Sequence, residues 1–416
     1  MNTEAHALIL ATTQDFFGKF EQQNAVLLQK MGFCVHYAAN MNEPAYLSER
    51  GAIEAAGVMV HHIDIARSPF MVQYNQKALR QVLRLIHRYR IRLIHCHTPV
   101  GGLCGRLAGA WSTQAPLVIY TAHGFHFYKG APAVNQLAYY RVEQALARQT
   151  DILIVINEED YRAAKHFRLK KGGQLYKIPG AGLDVSRFSP ISEEQKRRNR
   201  RRLGIGENAF FLVSTGELNQ NKNQQVVLEA LLKMRQNGIR LDNIRYGICG
   251  DGFFRERLQE QIQKYGLTDV AMLFGYRTDI PQVVGCADAA VFPSRREGLG
   301  MAGLEALAMG IPVIAADNRG TREYMEHGRN GYVCRYDDAE GFMKGIQTIM
   351  GLDAEKKRRM QAYCRASVRP FAREYSEAAM QRIYYAAKEK LAQKEERSRE
   401  EHAGQSQYYH GHIQSR

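Results

Sequence analysis

Short apolar runs alternate with longer amphipathic stretches over most of the chain. In the first half, runs suited to buried strands are separated by stretches with an apolar residue every three or four positions, which indicates helices between strands. Strands are predicted at 6–11, 33–39, 58–63, 93–96, 117–122 and 152–156, and helices at 20–30, 75–89, 102–110, 133–147 and 158–166. This alternation predicts a parallel sheet with helices on both faces.

A stretch rich in proline and glycine, residues 177–190, interrupts the alternation and suits a connection between domains. The pattern then resumes, with strands predicted at 210–214, 244–249, 271–274, 289–292, 313–316 and 331–334. The predicted fold class is therefore α/β, with two similar Rossmann-like domains at 1–183 and 184–370. A closing helix is predicted at 371–392, and the charged and polar residues 393–416 are predicted to be disordered.

Length and composition favour a globular protein of two domains. The chain has 416 residues, of which 45% are hydrophobic and 24% charged, enough for a core that needs no disulfide or metal support. No run reaches the length of a membrane span, and Met1 to Ala11 lacks the basic region of a signal peptide. The seven cysteines show no C-x-x-C or zinc-ligand spacing. Reduced, buried thiols in a cytoplasmic protein are therefore expected.

The net charge of +15 points to anionic partners, namely nucleic acid, a membrane surface or phosphorylated substrates. No nucleic-acid motif with interleaved aromatic residues is present, so no nucleic acid is expected among the partners. Arg80, Arg84 and Arg88 recur every four residues on a predicted helix. That face is either solvated or rests on anionic lipid. The basic run at 196–202 is interpreted as a solvated helix.

Two glutamates carry the strongest functional signal. Seven residues separate Glu297, which follows the predicted strand at 289–292, from Glu305, which lies in a helix predicted from Gly298 to Gly310. Open α/β sheets bind ligands at the carboxyl ends of their strands, and the free N–H groups of a helix start can hold an anion. Such a pair arises easily by chance on a surface, but this context of strand, loop and helix favours function. Carboxylates on both sides of a phosphate site suit a nucleotide sugar.

The segment from Ser294 to Ala316 resembles the E-x7-E signature of retaining glycosyltransferases of the GT-B fold, family 4. The resemblance extends over nearly the whole chain and is most specific from Phe274 to Gly331. It implies two Rossmann-like domains with an interdomain cleft, and a C-terminal helix that crosses back to the first domain. The second domain would bind the donor and the first domain the acceptor.

The loop after the predicted strand at 210–214 adds a cation to this site. Lys222 stands between Gly216 and a predicted helix, an arrangement that suits a phosphate. Members of the family commonly carry an arginine directly after this glycine, but Glu217 stands here, so Arg277 or Arg296 is a candidate replacement. The resemblance implies further donor-binding positions at the strand ends: Gly216, Asn221, Gly250, Gly252, Tyr276, Arg277, Arg296, Gly298, Leu299, Gly300 and Met301.

In the first domain, His123 follows a predicted strand and matches the family's active-site His-Gly segment, which implies contact with the donor sugar. His95 and His97 also follow a strand, and structural and acceptor-side roles are equally compatible with that position. A loop after the first strand holds three acceptor-side candidates, which are Asp15, Gly18 and Lys19. No G-x-G-x-x-G dinucleotide fingerprint follows this strand.

The predicted function is retaining transfer of a hexosyl group from a nucleotide diphosphate sugar, with a UDP-sugar preferred, to an acceptor hydroxyl. His123, Glu297 and Lys222 are the predicted catalytic residues, and Glu305 would bind the ribose hydroxyls. A lipid-linked saccharide in surface polysaccharide synthesis is the expected acceptor, at the inner face of the cell membrane. No metal or other cofactor is expected, since protein cations would neutralise the diphosphate. The alternatives are an epimerase or phosphorylase on the same fold and a catalytically idle nucleotide-sugar-binding subunit.

Overall fold

The computed structural model describes residues 5–42, 50–127 and 133–413. The chain forms two compact units. The first contains Met1–Ile156, Asp160–Ala181 and Ser376–Arg416, and the second contains Asn157–Glu159 and Gly182–Tyr375.

Each unit is built on one parallel sheet. The strands are β1 (Ala5–Thr13), β2 (Phe33–Asn40), β3 (Met59–His62), β4 (Ile91–His97), β5 (Leu117–Ala122), β6 (Ile152–Val155), β7 (Gln174–Lys177), β8 (Phe210–Thr215), β9 (Ile244–Cys249), β10 (Ala271–Gly275), β11 (Ala289–Phe292), β12 (Val313–Ala316) and β13 (Gly331–Cys334). The first sheet has the order β3-β2-β1-β4-β5-β6-β7, and the second has the order β10-β9-β8-β11-β12-β13. In both sheets the strand order reverses beside the first strand, which is where open α/β sheets bind ligands.

Helices connect the strands. They are α1 (Gln22–Lys30), α2 (Arg50–Ala55), α3 (Val72–Tyr89), α4 (Pro99–Trp111), α5 (Ala133–Ala147), α6 (Glu158–Ala164), α7 (Glu193–Arg202), α8 (Gln225–Gln236), α9 (Arg255–Lys264), α10 (Ile280–Gly285), α11 (Met301–Ala308), α12 (Ala339–Met350), α13 (Ala354–Ser367) and α14 (Arg373–Ile413). A π-helical turn at Phe17–Glu21 precedes α1, and 3-10 turns lie at Thr321–Glu323 and Arg369–Phe371. The predicted fold class, α/β with two parallel-sheet domains, is confirmed.

The amphipathic helices turn their apolar faces to the core and their charged faces to solvent. On α3, for example, Ala78, Val82 and Ile86 are fully buried at four-residue spacing, while Arg80 and Arg84 are exposed. Among the described strands, β7 is the one missing from the sequence prediction. The four residues of β7 are half-buried or exposed, so this edge strand lacks the apolar run that marks the other strands.

Helix α14 extends past the closing helix predicted at 371–392. The main chain is helical through Ile413, over residues where the sequence predicts disorder, and residues 414–416 lie outside the described part. Glutamate, lysine, arginine and glutamine are good helix formers, so a helix already anchored by packing can continue at little cost. The anchor includes an ion pair of 2.6 Å between Arg92 and Glu395 and a hydrogen bond of 3.0 Å from Lys388 Nζ to the Met31 carbonyl.

Two further expectations concern the cysteines and the membrane. All seven cysteines fall within the described residues and none forms a disulfide; five are buried, and Cys34 and Cys334 are half-buried. Within the described ranges, no helix combines the length and apolarity needed to cross a bilayer.

Candidate active site

Three loops at the carboxyl end of the second sheet are held together by backbone contacts. The Gly216 N–H donates to the Cys249 carbonyl at 2.9 Å, and the Gly250 N–H donates to the Gly275 carbonyl at 2.8 Å. A Cβ at Gly250, where φ is +142°, would lie 1.9 Å from the Gly216 carbonyl oxygen. Glycine is therefore required here by the close approach of two loops, whether or not a ligand also contacts the backbone.

Lys222 and Glu297 meet above β8 and β11. Lys222 Nζ lies 2.6 Å from Glu297 Oε1, and the side chains are 22% and 15% exposed. Their two loops are tied by hydrogen bonds from Asn221 Nδ2 to the Arg296 carbonyl at 2.9 Å and from the Arg295 N–H to the Asn221 carbonyl at 2.8 Å. The structure thus brings together two candidate residues that lie far apart in sequence, in a partly desolvated ion pair open to solvent on one side.

Glu305 lies in the second turn of α11 and is half-buried. Burial raises its pKa to about 7, while the charges of Arg187 and Lys222 act in the opposite direction. Burial thus disfavours the ionised carboxylate. Hydroxyl groups of a ligand would favour that ionised form by donating hydrogen bonds to it. Glu305 therefore stands close enough to Lys222 to belong to the same site.

Glycines and a tyrosine fix the start of α11. Gly300 caps the helix at φ +90°, a conformation that glycine adopts without strain. The Tyr324 hydroxyl donates to the Gly300 carbonyl at 3.1 Å, and a Cβ at Gly303 would lie 2.2 Å from that hydroxyl oxygen. This packing leaves no room for a larger residue and sets the direction of the first helical turn.

The sequence predicts that Arg277 or Arg296 supplies the positive charge that the family's arginine would carry at the position of Glu217. Glu217 is exposed, and Arg277 forms a two-point ion pair with Asp279 at 2.8 and 2.6 Å, so its charge is already compensated. Arg296 is half-buried beside Glu297. Arg187, which sequence reasoning missed inside the linker, influences Glu305 directly. No motif could have shown this, because the proximity arises from folding.

The other donor-side candidates surround these residues at the strand ends. Tyr276 is 46% exposed, Leu299 is 4% exposed and Met301 is half-buried. A Cβ at Gly252, where φ is +153°, would lie 2.5 Å from the Leu218 carbonyl oxygen, so this glycine also has a local packing reason.

In the first unit, a buried chain of polar groups leads to His123. His123 Nε2 lies 3.2 Å from His97 Nδ1, and His97 Nε2 lies 3.1 Å from Glu21 Oε2, although that second approach is not aligned for a hydrogen bond. Glu21 also accepts a hydrogen bond of 2.9 Å from Asn24 Nδ2. A carboxylate this close to the His97 ring disfavours ring orientations and tautomers that turn a nitrogen lone pair toward it.

Burial keeps these imidazoles neutral. It lowers the pKa of His97 and of His123 to about 3, and it raises the pKa of Glu21. A cavity of about 20 Å³, with room for a single water molecule, is lined by Glu21, His97, His123 and Thr121 among others. His123 can therefore supply a neutral hydrogen-bonding ring, and not a formal charge.

His95 has a structural setting. Its Nδ1 lies 2.8 Å from the Tyr384 hydroxyl on α14, and its Nε2 lies 2.8 Å from Thr121 Oγ1. Both ring nitrogens are thus engaged, and burial lowers the pKa of His95 well below its usual value. Of the two roles compatible with the sequence, this geometry favours the structural one.

The acceptor-side candidates lie where β1 meets the π-helical turn. Asp15 is 7% exposed, whereas Gly18 and Lys19 are exposed, and the Lys19 N–H donates to the Asp15 carbonyl at 3.2 Å. Sequence reasoning missed Glu21 at the end of this turn. Its distance along the chain from His97 and His123 gave no signal.

Comparison with known proteins agrees with this architecture. Residues 195–367 match the family described as glycosyl transferases group 1, and residues 22–169 match a glycosyl transferase 4-like domain. The putative glycosyltransferase EpsD of Bacillus subtilis (strain 168) is 38% identical over 344 residues, which cover 82% of this chain and 86% of EpsD.

A second relative and a solved structure extend the comparison. The Escherichia coli UDP-Gal:alpha-D-GlcNAc-diphosphoundecaprenol alpha-1,3-galactosyltransferase is 27% identical over 276 residues, which cover 66% of this chain and 70% of that enzyme. The crystal structure of Anabaena HepE in complex with UDP and glucose superimposes with a TM-score of 0.74 at 19% identity, covering 92% of this chain and 100% of HepE. With its two parallel-sheet units and these relatives, the chain belongs to the family 4 glycosyltransferases of the GT-B fold.

Proposed function

We propose that this glycosyltransferase moves a hexosyl group from a UDP-sugar to a hydroxyl of a lipid-linked saccharide, with retention of anomeric configuration. The observation that carries the donor half of the proposal is the Lys222–Glu297 pair of 2.6 Å beside Glu305 at the start of α11. The solved HepE complex with UDP and glucose supports a UDP-sugar, and the E. coli relative, named for UDP-Gal and a diphosphoundecaprenol acceptor, supports the acceptor class.

The proposed roles follow from charge and reach. Glu305 accepts hydrogen bonds from the ribose hydroxyls, and Glu297 holds hydroxyls of the sugar. Lys222 and the backbone N–H groups from Gly298 to Gly300 stabilise the negative charge that grows on the diphosphate as the glycosidic bond breaks. Because these groups supply positive charge, the reaction is proposed to need no metal ion.

Retention follows when attack and departure share one face of the sugar. The acceptor oxygen bonds to the anomeric carbon as the bond to the diphosphate oxygen breaks. The hydroxyl proton passes to the departing diphosphate. His123 is proposed to orient the sugar near the reacting carbon through a neutral ring nitrogen, in agreement with its low pKa of about 3.

A membrane-bound acceptor is supported by one surface of the first unit. Arg80, Arg84 and Arg88 are exposed on α3, and Phe70 is 83% exposed just before this helix. Basic side chains attract anionic headgroups, and an exposed aromatic ring can enter the interface. The enzyme is therefore proposed to act as a cytoplasmic protein at the inner face of the membrane.

The decisive assay follows UDP release from UDP-glucose and UDP-galactose with and without a lipid-diphosphate-linked saccharide. We expect release that depends on the acceptor, a product one hexose heavier by mass spectrometry, and an NMR coupling constant that reports the donor's anomeric configuration. Isomerised sugar without acceptor would indicate an epimerase. Tight donor binding with no turnover for any acceptor would indicate an idle binding subunit.

Glu21→Gln should lower kcat by about tenfold and change KM for the donor little. The substitution keeps the size of the side chain but removes the charge behind His97, which loosens the orientation of His123. Steady-state kinetics and the ¹⁵N shifts of the His123 ring measure the effect. Asn24→Ala is the matched control, because it removes a neighbour of Glu21 without altering the histidine pair. If kcat and the His123 tautomer were unchanged in Glu21→Gln, Glu21 would have no role in positioning His123.

Arg80→Gln/Arg84→Gln should weaken binding to vesicles of anionic phospholipid, measured by flotation at low salt, by about 30-fold, since each basic residue near such a surface contributes about 1 kcal/mol. The matched control is Arg197→Gln/Arg198→Gln on α7, which removes equal charge from exposed positions of the other unit. Equal flotation of both double variants, or none of the unmodified protein, would contradict the proposed surface.

A further inference from the structure

Three histidines and a cysteine share one face of the first sheet, at positions that no sequence motif connects. His6 of β1 is in register with Cys34 of β2, and Ala38 of β2 is in register with His61 of β3. Alternate residues of a strand point to the same side, so Cys34, His36 and Ala38 share a face. His6 and His61 flank that face on the neighbouring strands.

The side chains converge on this face. His6 Nδ1 lies 2.9 Å from His36 Nε2. Counting one potential ligand atom per residue, the ligand atoms of His6, Cys34 and His36 all lie within 4.8 Å of one another. Two nitrogens bound to one zinc ion are about 3.3 Å apart when each Zn–N bond is about 2.0 Å. The two histidine nitrogens thus need to move apart by only a few tenths of an ångström to bind the same ion.

A second layer of contacts orients the central ring. His36 is 1% exposed, and its Nδ1 lies 2.8 Å from His61 Nε2. A hydrogen bond from the distal ring nitrogen is the usual outer-shell contact of a metal-bound histidine, because it fixes the tautomer that leaves the other nitrogen free to coordinate. The Tyr89 ring packs 4.5 Å from the His36 ring, which limits movement of this ligand.

We propose that His6, Cys34 and His36 form a binding site for a borderline-soft divalent ion, for which Zn²⁺ is the probe. Imidazole nitrogen and thiolate sulfur are the ligands that zinc favours. Binding forms bonds from the ion to His6 Nδ1, His36 Nε2 and Cys34 Sγ, and the thiol proton leaves to solvent. His6 and Cys34 are half-buried, so water can complete the coordination. The ion would join β1 to β2, independently of glycosyl transfer.

Thiol protection tests the site without reference to activity. The chelator-treated full-length protein is alkylated with iodoacetamide with and without Zn²⁺, and each cysteine peptide is followed by mass spectrometry. Because the thiolate is the reactive form, we expect Zn²⁺ to slow alkylation of Cys34 by about tenfold or more. Cys334, the other half-buried thiol, is the internal control and should be unaffected. Mg²⁺ should protect neither. Equal rates at Cys34 with and without Zn²⁺, or equal slowing at both thiols, would overturn the proposal.

Cobalt substitution identifies the ligands. Co²⁺ should give a thiolate-to-metal charge-transfer band that Cys34→Ser and His6→Gln each abolish, since both residues are half-buried and replaceable with little disturbance of the fold. Glu21, His97 and His123 form the other group of potential ligands among the described residues. Glu21→Gln should therefore keep the band. Bound Co²⁺ that gives only weak d–d bands, which Glu21→Gln abolishes and Cys34→Ser leaves unchanged, would place the ion at that other group and refute the inference.

Discussion

Lys222→Ala should lower kcat/KM for the donor by about 100- to 1,000-fold, the loss typical of removing one group that stabilises charge in the transition state. Lys222 Nζ stands 2.6 Å from Glu297 Oε1, in a partly desolvated position where its charge acts strongly. The variant also leaves the Glu297 carboxylate without this partner. Its uncompensated negative charge would then repel an anionic donor nearby. Calorimetry with UDP and single-turnover transfer separate the loss of binding from the loss of catalysis.

Lys233→Ala is the control for this experiment. Lys233 is exposed on α8, the helix that follows the Lys222 loop, so its removal changes the net charge equally without touching the loop. Lys222→Arg should restore part of the activity, since it keeps the charge but alters its position. Donor kinetics of Lys222→Ala equal to those of Lys233→Ala would contradict the role of Lys222.

Glu305→Gln should weaken binding of UDP-glucose by about 10- to 100-fold, the range expected for hydrogen bonds to a charged group. The pH dependence is the sharper measurement. Burial raises the pKa of Glu305 to about 7, so the carboxylate that would accept two hydroxyl donors prevails above pH 7 and is lost as the pH falls through 7. Affinity of the unmodified protein should therefore fall between pH 8 and pH 6.

The glutamine variant supplies the control for this titration, because it cannot ionise. Its affinity should be low and nearly constant over the same range, and UDP-glucose avoids the terminal phosphate ionisation of UDP. A parallel decline in both proteins would assign the pH dependence to another group. Equal affinity of the two proteins at pH 8 would remove Glu305 from the donor site.

Periodicity sufficed to predict the two parallel sheets, because most strands contain a run of at least four buried residues, such as Val313–Ala316. It failed for β7, an edge strand whose half-buried and exposed residues need no apolar pattern.

The basic run at 196–202 was interpreted incorrectly for a different reason. Arg200, interpreted from composition as solvated, is 4% exposed and donates to the Cys286 carbonyl at 3.0 Å and to Asp288 at 2.7 Å. Burial of an arginine depends on partners that only the fold brings near.

The residues of the candidate site also fall into two groups, those that the local sequence predicts and those that it does not. Glu297, Glu305 and Lys222 were predictable because each stands at a strand end or helix start that local sequence marks. Glu21 and Arg187 were not, since their positions beside His97 and Glu305 result from chain segments that meet only after folding. The histidines at 6, 36 and 61 lie on three strands, and only the register of the sheet aligns them.

The contact of Gly250 with the Gly216 carbonyl has a practical consequence for anyone redesigning the donor preference of this enzyme. A library that randomises Gly250 or Gly303 would yield mostly misfolded clones, since a Cβ there would lie 1.9 Å from the Gly216 carbonyl oxygen or 2.2 Å from the Tyr324 hydroxyl oxygen. Glu217 and Tyr276 are exposed at the same strand ends, so we expect substitutions there to disturb packing less. New sugar or nucleotide selectivity should therefore be sought at Glu217 and Tyr276, while the closely packed glycines are kept.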